Sequence, residues 1–482
     1  MAGSIISKTI VFIIAASVMT ALLVLVALIP KESIRDKTLE SAEYLAEGEL
    51  FGTVSEGVDA SKIDRYADAI LLNIAYHYDS KAPLRSVLLS AYYFSIFQEE
   101  NENFLQSVDE DLPANQQYLR YWHGSIALVR PLLTVFNVKQ IYVLNAVILL
   151  LLLALFIVVS LSRGLGVPAF AMVSGLVAAG CWFVPLSLEY TWTFMIMLAG
   201  SVVSVLLAVE KKSGKYATFF MLIGMVTSYM DFLTTETVTL LVPLLIIIWI
   251  ESSDQGVDHR YMDKVSPDGD RKNYSVKGNV AETGTGGNDK KTEEEAKGSF
   301  LRAIRRSVGS QGRFKLPYLY EMSLRSAVSW AIGYVGMWAL KWILTALVFK
   351  ESTVPFVSEH IGERLSGDIV GLNVFSYLAG AVAKNIGCLF PLGFGSIGAV
   401  AGIFLLVFAA YIGFVYRGKD YDGKCILLFA ITGLVPYVRY LVLHNHSFIH
   451  YFFTYRAQAA TVMAAVFIIA ELTGQRKQSR DK

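Results

Sequence analysis

The sequence predicts an all-α polytopic membrane protein with about ten transmembrane helices and a long, helical first extracytoplasmic loop. Three observations carry that prediction. Hydrophobic residues make up 54% of the 482, and the mean hydropathy is +0.48. Apolar runs of about 20 residues, the length that crosses a bilayer's hydrocarbon, recur along the chain. Charge is concentrated between those runs and sums to only +1, a balance that implies no nucleic-acid partner.

The first run, residues 10–28, follows Lys8 and is not followed by a small-residue cleavage site after Pro30, so it reads as a retained span. Further spans are predicted at 141–161, 167–185, 190–208, 216–230, 238–250, 324–349, 392–416, 426–443 and 457–470. If the N-terminus is cytoplasmic, the inner connections hold Arg163, then Lys211, Lys212 and Lys215, then Arg417, Lys419 and Lys424. The tail adds Arg476, Lys477, Arg480 and Lys482. The short outer connections, near Glu189, between Asp231 and Glu236, and from 444 to 455, hold no Lys or Arg. This bias places both termini in the cytoplasm. Cys181, Cys388 and Cys425 lack CxxC or CxxH spacing, so neither a disulfide framework nor a zinc site is implied.

Three regions follow: 1–250, a first transmembrane unit with the extracytoplasmic loop 31–136; 251–322, a cytoplasmic loop; and 323–482, a second transmembrane unit. The stretch 251–313 is rich in Gly, Asp, Lys, Asn and Ser and reads as disordered, since it has too few apolar residues to offset its ordering entropy. At its end Leu301, Ile304 and Val308 stand against Arg302, Arg305 and Arg306, which suits either a short basic helix on anionic lipid or a solvated charge run.

Within the outer loop, Tyr66, Ile70, Ile74 and Tyr78 recur at helical spacing and predict an amphipathic helix over 63–78, docked on the membrane or the bundle. Asp64 and Asp68 lie four apart on it. Like charges at that spacing cost about 0.2 to 0.5 kcal/mol, so the pair has either a compensating cation or a function; a solvated face beside Lys62 and Arg65 is the plainer alternative. Farther on, a helix over 118–137 would align Arg120, His123 and Arg130 in one stripe suited to a phosphate, or to snorkelling toward lipid headgroups. Tyr121 and Trp122 beside it fit an interfacial aromatic belt.

The remaining polar residues of the spans gather toward the same outer face. Glu189, Asp231 and Glu236 sit at span ends, and Lys341 lies among Trp330, Tyr334, Trp338 and Trp342. The segment 436–458 adds Arg439, His444, His446, His450 and Arg456 at a span mouth, where such residues mark a functional site by default. His446 and His450 share one face if the helix before them continues. The inner halves of the spans are almost purely apolar, unlike a transport path with polar groups at the midplane.

The runs DRYADAILLNIAY, RYWHGSIALVRPLL, SYMDFLTTETVTLLVPL, WAIGYVGMWALKWILT and NHSFIHYFFTYR resemble a group of bacterial multi-span proteins described as glycosyltransferases. A first span, a long helical outer loop with an acidic residue and then many spans with short loops resemble the GT-C class more broadly. The resemblance leaves out 251–315. It implies a bacterial cell membrane and a polyprenyl-phosphate sugar as donor. The acceptor would be a glycan, lipid or protein, used on the extracytoplasmic face amid membrane lipids. It further implies Asp64 or Asp68 as general base, with Asp68 favoured because Asp64 at the helix start serves equally as a cap. Arg120, His123, Arg130, Lys341, His446, His450 and Arg456 would then be phosphate ligands. A divalent cation is used by some members, but no ligand spacing here decides it. A departure is that the acidic residues lie over 30 positions beyond the first span, where the class often places them closer. A flippase or transporter for lipid-linked intermediates, a non-enzymatic envelope partner, and a polysaccharide polymerase or ligase remain as other readings.

Overall fold

The computed structural model describes residues 2–264, 317–350, 374–392, 396–418 and 421–474. The basic segment 299–315 and most of the loop expected to be disordered lie outside the described residues. The start of that loop is helical, because the helix entering it runs on to Lys264.

Among the described residues the chain is helical with no β-strand, and seven helical segments are long and apolar enough to cross a membrane. In chain order the helices are α1 (Ala2–Ala27), α2 (Arg35–Ala46), α3 (Arg65–Tyr76), α4 (Pro83–Leu89), α5 (Glu100–Asp109), α6 (Ile126–Leu132), α7 (Val138–Ser162), α8 (Gly166–Ala178) and α9 (Leu188–Val209). They continue with α10 (Tyr216–Met230), α11 (Val238–Lys264), α12 (Tyr318–Phe349), α13 (Val374–Gly387), α14 (Ser396–Val415), α15 (Gly423–Val442), α16 (His444–Ile449), α17 (Tyr451–Thr454) and α18 (Ala459–Leu472). The long segments are α1, α7, α9, α12, α14, α15 and the composite Tyr451–Leu472. The other expected spans correspond to shorter apolar helices at Gly166–Ala178 and Val238–Ser253 and to the 15-residue α10.

Residues Met1–Ser252 and Ser323–Lys482 form one compact unit, so the two predicted transmembrane regions interlock. The boundaries follow local chemistry. Asn137 and Gln140 form a capping box that starts α7, and Asp422 accepts from the Lys424 and Cys425 amides at the start of α15. α9 and the last segment are mostly buried, whereas α1, α7, α12 and α14 turn most of their length outward. α18 packs against both α8 and α15. α10 and α12 cross backbone to backbone: a Cβ on Gly224 would lie 2.1 Å from the Trp330 carbonyl oxygen, and one on Gly333 would lie 2.1 Å from that of Met221. Only glycine permits so close a crossing.

The segment between α1 and α7 folds onto one end of this bundle. Trp122 Nε1 donates to the Met337 carbonyl at 2.7 Å, and Trp338 Nε1 to that of Arg120 at 2.9 Å. Lys341 Nζ donates to the Val87 carbonyl at 2.7 Å and to Ser90 Oγ at 3.3 Å. Trp122 is therefore fully buried as a tether between loop and α12, not a member of an interfacial belt. Lys341 is fully buried as well, and it anchors the end of α4; the phosphate-ligand role expected for it does not hold.

The expected helix over 118–137 is replaced by a turn followed by the short α6. His123 has φ +53°, in the left-handed region, which ends any continuous stripe between Arg120 and Arg130. Arg130 is fully buried. It donates to the carbonyls of Ala75, of Ile29 (2.7 Å) and of Tyr78 (3.1 Å), groups that the ends of α3 and α1 leave without helical partners. Arg130 thus ties α6 to the ends of α1 and α3, and its guanidinium is spent on backbone carbonyls in place of the expected phosphate.

Arg130→Ala should cost about 3 kcal/mol or more, because it strands three buried carbonyls at roughly 1–3 kcal/mol each. Thermal unfolding of the purified protein in detergent checks this; an unchanged unfolding temperature removes the anchor role.

Candidate functional site

α3 begins at Asp64, whose carboxylate caps the helix by accepting from the Ala67 amide at 2.9 Å. One turn later Asp68 leaves α3 toward α9. It accepts from Ser187 Oγ (2.9 Å), the Leu188 amide (3.0 Å), the Glu189 amide (3.3 Å) and the Tyr142 hydroxyl. The Asp68 carboxylate therefore serves as the cap of a different helix, satisfying the orphan amides at the α9 N-terminus. Burial pushes its carboxyl up to about 7 against the pull of Tyr142, the Leu188 amide and Ser187. It is 1% exposed with four donors already in place and does not line the adjacent cavity, so the expectation that Asp68 is the better base is overturned.

That docking brings Asp64 against the side chain of Glu189, at the second position of α9, and the two carboxyls are hydrogen-bonded. Both face a cavity of about 220 Å³. One wall is α3, with Asp64, Ala67, Ile70 and Leu71. Opposite stand Tyr118, Arg120, Tyr121 and His123 from the turn before α6. His446, His450 and Phe453 close it from the α16–α17 side, and Phe51, Tyr66 and Phe232 complete the aromatic lining.

The cationic groups differ in character. Arg120 is half-buried over the Tyr118 ring at 5.5 Å, and its Nε makes no hydrogen bond. His123 is held between Tyr118 and Phe232, ring centroids 5.0 and 4.9 Å away, with neither ring nitrogen in hydrogen-bonding geometry to a partner. Burial first, and the nearby Lys341 charge second, hold its imidazole well below the usual range, so it is neutral at pH 7. The His446 and His450 rings lie 4.9 Å apart, because the His450 amide still donates to the His446 carbonyl although α16 ends there. His450 also stacks on Phe453 at 5.1 Å.

Arg456 stands behind the wall. It is fully buried, donates to the Phe452 carbonyl at 3.3 Å and the Ala60 carbonyl at 3.4 Å, and lies over the Tyr190 ring at 4.4 Å. It does not line the cavity, so the direct phosphate contact expected of it is not formed, but its charge acts on Asp64. Burial pushes Asp64 up to about 6; the Ala67 amide, the Glu189 hydrogen bond and the Arg456 charge oppose the rise. Arg439 is paired elsewhere, with both oxygens of buried Glu236 at 2.5 and 3.0 Å.

Of the residues singled out from the sequence, Asp64, Arg120, His123, His446 and His450 share the cavity, whereas Asp68, Arg130, Lys341 and Arg456 support it from outside. Glu189 was legible only as an acidic span end; the signal that could have promoted it is an acid at the second position of an apolar helix, next to Ser187. Among the described residues no group of three or more His, Cys, Asp or Glu is arranged to hold a metal ion. In comparisons with known proteins, no family model, no curated protein and no solved structure matches the chain.

Asp68→Asn should destabilise the fold by about 2 kcal/mol, because an amide nitrogen then faces donors that lose an acceptor. Asp64→Asn keeps a capping oxygen and should cost less. Unfolding temperatures of the two variants, measured side by side, decide the ranking; a reversed order would contradict the clamp.

Proposed function

We propose that this chain is a GT-C-type glycosyltransferase that moves a sugar from a polyprenyl-phosphate donor to an acceptor hydroxyl at the extracytoplasmic face of a bacterial cell membrane. The observation that carries the reading is a single cavity in which a buried carboxyl pair, a guanidinium, three imidazoles and several aromatic faces converge. The cavity lies at the end of the bundle whose short connections lack Lys and Arg, while those of the other end contain Arg163, Lys211, Lys212, Lys215, Arg417 and Lys424. By that bias the cavity is extracytoplasmic and both termini are cytoplasmic.

In the proposed reaction the Asp64 carboxylate takes the proton of the acceptor hydroxyl as its oxygen bonds to the sugar's anomeric carbon. The bond from that carbon to the phosphate oxygen breaks, and its electron pair leaves on the phosphate. Arg120 faces the charge that grows there, and His446 and His450 are placed to donate hydrogen bonds to it. Neutral His123 offers a donor without a charge. The rings of Tyr66, Tyr118 and Phe232 present flat apolar faces to the sugar. The outward apolar faces of α1, α7 and α12 leave room in the lipid for a polyprenyl chain. The acceptor, whether glycan, lipid or protein, enters the same cavity.

Two measurements test this. In proteoliposomes with polyprenyl-phosphate sugars, Asp64→Asn should lower kcat by about 100-fold or more, the usual contribution of a general base. Wild-type kcat/KM should rise as pH increases through about 6, where Asp64 loses its proton. Wild-type turnover by Asp64→Asn would refute the assignment. For sidedness, a cysteine at exposed Glu110 should react with an impermeant reagent in intact cells, and one at exposed Ser213 only after permeabilisation. The opposite pattern would move the cavity to the cytoplasm.

A further inference from the structure

Two buried carboxyls line the cavity, and the charge of buried Arg456, which forms no ion pair among the described residues, acts on Asp64. Asp64 is 3% exposed, Glu189 6% and Arg456 0%. Arg456 spends its hydrogen bonds on two backbone carbonyls, which are neutral, so its full positive charge remains available to the carboxyl pair. The two buried carboxyls line the cavity side by side, within hydrogen-bonding reach of each other, and since an ionised carboxylate is an acceptor only, a bond between them requires a proton on one.

We propose that Asp64 and Glu189 hold a single proton between them, with buried Arg456 as the fixed counter-charge, and that Glu189 is therefore the second carboxyl of the site. With one proton the pair carries one negative charge, which one guanidinium matches. With none, two negative charges would face one positive charge out of water, an imbalance that buried sites avoid.

The surrounding groups favour the same state. On α3, Asp68 adds negative potential and Tyr66 is a neutral phenol at pH 7; on α9, the Tyr190 ring lies against the Arg456 guanidinium. From the turn after α10, Asp231 adds a further negative influence. Across the cavity stand Arg120, whose charge is shared with solvent on its exposed side, and the imidazoles of His123, His446 and His450. Two more acids against one distant cation disfavour a second ionisation.

For the transfer reaction the consequence is a proton count. The pair begins with one proton, receives the second from the acceptor hydroxyl, and must release one to water before the next turnover. Only this use rests on the glycosyltransferase reading. The shared proton does not.

The test reads the carboxyls directly. Infrared titration of the purified full-length protein in nanodiscs, as wild type minus Asp64→Asn and wild type minus Glu189→Gln, isolates the carbonyl stretch of each protonated carboxyl. A shared proton predicts that Glu189 in Asp64→Asn loses its proton at least about one pH unit lower than in wild type, because the Asp64 charge that holds the proton there is gone. The reciprocal variants separate hydrogen bond from charge: Asp64 should titrate near its wild-type pH in Glu189→Gln, where an amide donor takes the place of the proton, and higher in Glu189→Leu, where no donor remains; this pair stands alone if Asp64→Asn does not fold. Titration of Glu189 at its wild-type pH in Asp64→Asn, or of Asp64 at one and the same pH in Glu189→Gln and Glu189→Leu, would overturn the proposal. Coupled titration in a protein that transfers no sugar from any lipid-linked donor would leave the pair in place and refute only the reaction.

Discussion

The contact on which the rest of this architecture depends is that of the Asp68 carboxylate with the N-terminus of α9. A helix beginning inside a protein leaves several amide donors unmatched, and here the first residues of α9 are buried. Ser187 caps nothing with its own side chain; it donates instead to Asp68. The cap thus comes from a segment over a hundred residues earlier, and the loop between α1 and α7 is fixed to the bundle by the chemistry that starts α9. Once that bond is made, the position of Asp64 is no longer free: it stands one turn back on a helix with a buried face, so it must meet Glu189.

The same economy explains the buried cations. Arg130, Lys341 and Arg456 each donate to backbone carbonyls at chain ends or turns. A bundle assembled from short helices, with α3, α4 and α6 laid across its end, exposes many such carbonyls to an interior without water. A long cationic side chain can satisfy two or three at once. For the stripe of Arg120 and Arg130 the sequence offers two destinations, ligand or lipid headgroup, and only for Arg456 does its place at a helix end suggest neighbouring carbonyls. Backbone satisfaction is the third, and it accounts for three of the nine residues singled out.

What the sequence disclosed follows from which signals are local. Apolar run length located the seven long segments to within a few residues, and the 3.6-residue period located α3. Charge bias at the connections grouped Asp64, Arg120, His446 and His450 at one end of the bundle, where they share a cavity. The failures are of tertiary origin. The stripe through Arg120, His123 and Arg130 fails at His123, whose left-handed backbone no periodicity argument anticipates. Gly124 follows it because a Cβ there would lie 2.3 Å from the Tyr229 ring, so the turn is set by a neighbour in α10. The choice between Asp64 and Asp68 depended on what lies across from α3, and position along the helix favoured the one that turns out to cap α9 and not to line the cavity.

That broken stripe is also what makes the cavity. A continuous helix from 118 would have carried Arg120 and His123 along one axis with Arg130, into the carbonyl cluster at the ends of α1 and α3. The left-handed turn separates the two jobs. Arg130 stays with the carbonyls, and the preceding residues fold back so that Arg120 and His123 face Asp64 and Glu189. Backbone strain of about 1–3 kcal/mol at a non-glycine residue persists only where surrounding contacts over-determine it. Here the Trp122 and Trp338 tethers to α12 and the Gly124 contact with Tyr229 supply those contacts on both sides of His123. Rigid aromatic anchors thus hold a strained turn, and the turn holds the His123 imidazole in the wall of the cavity that the carboxyl pair also lines.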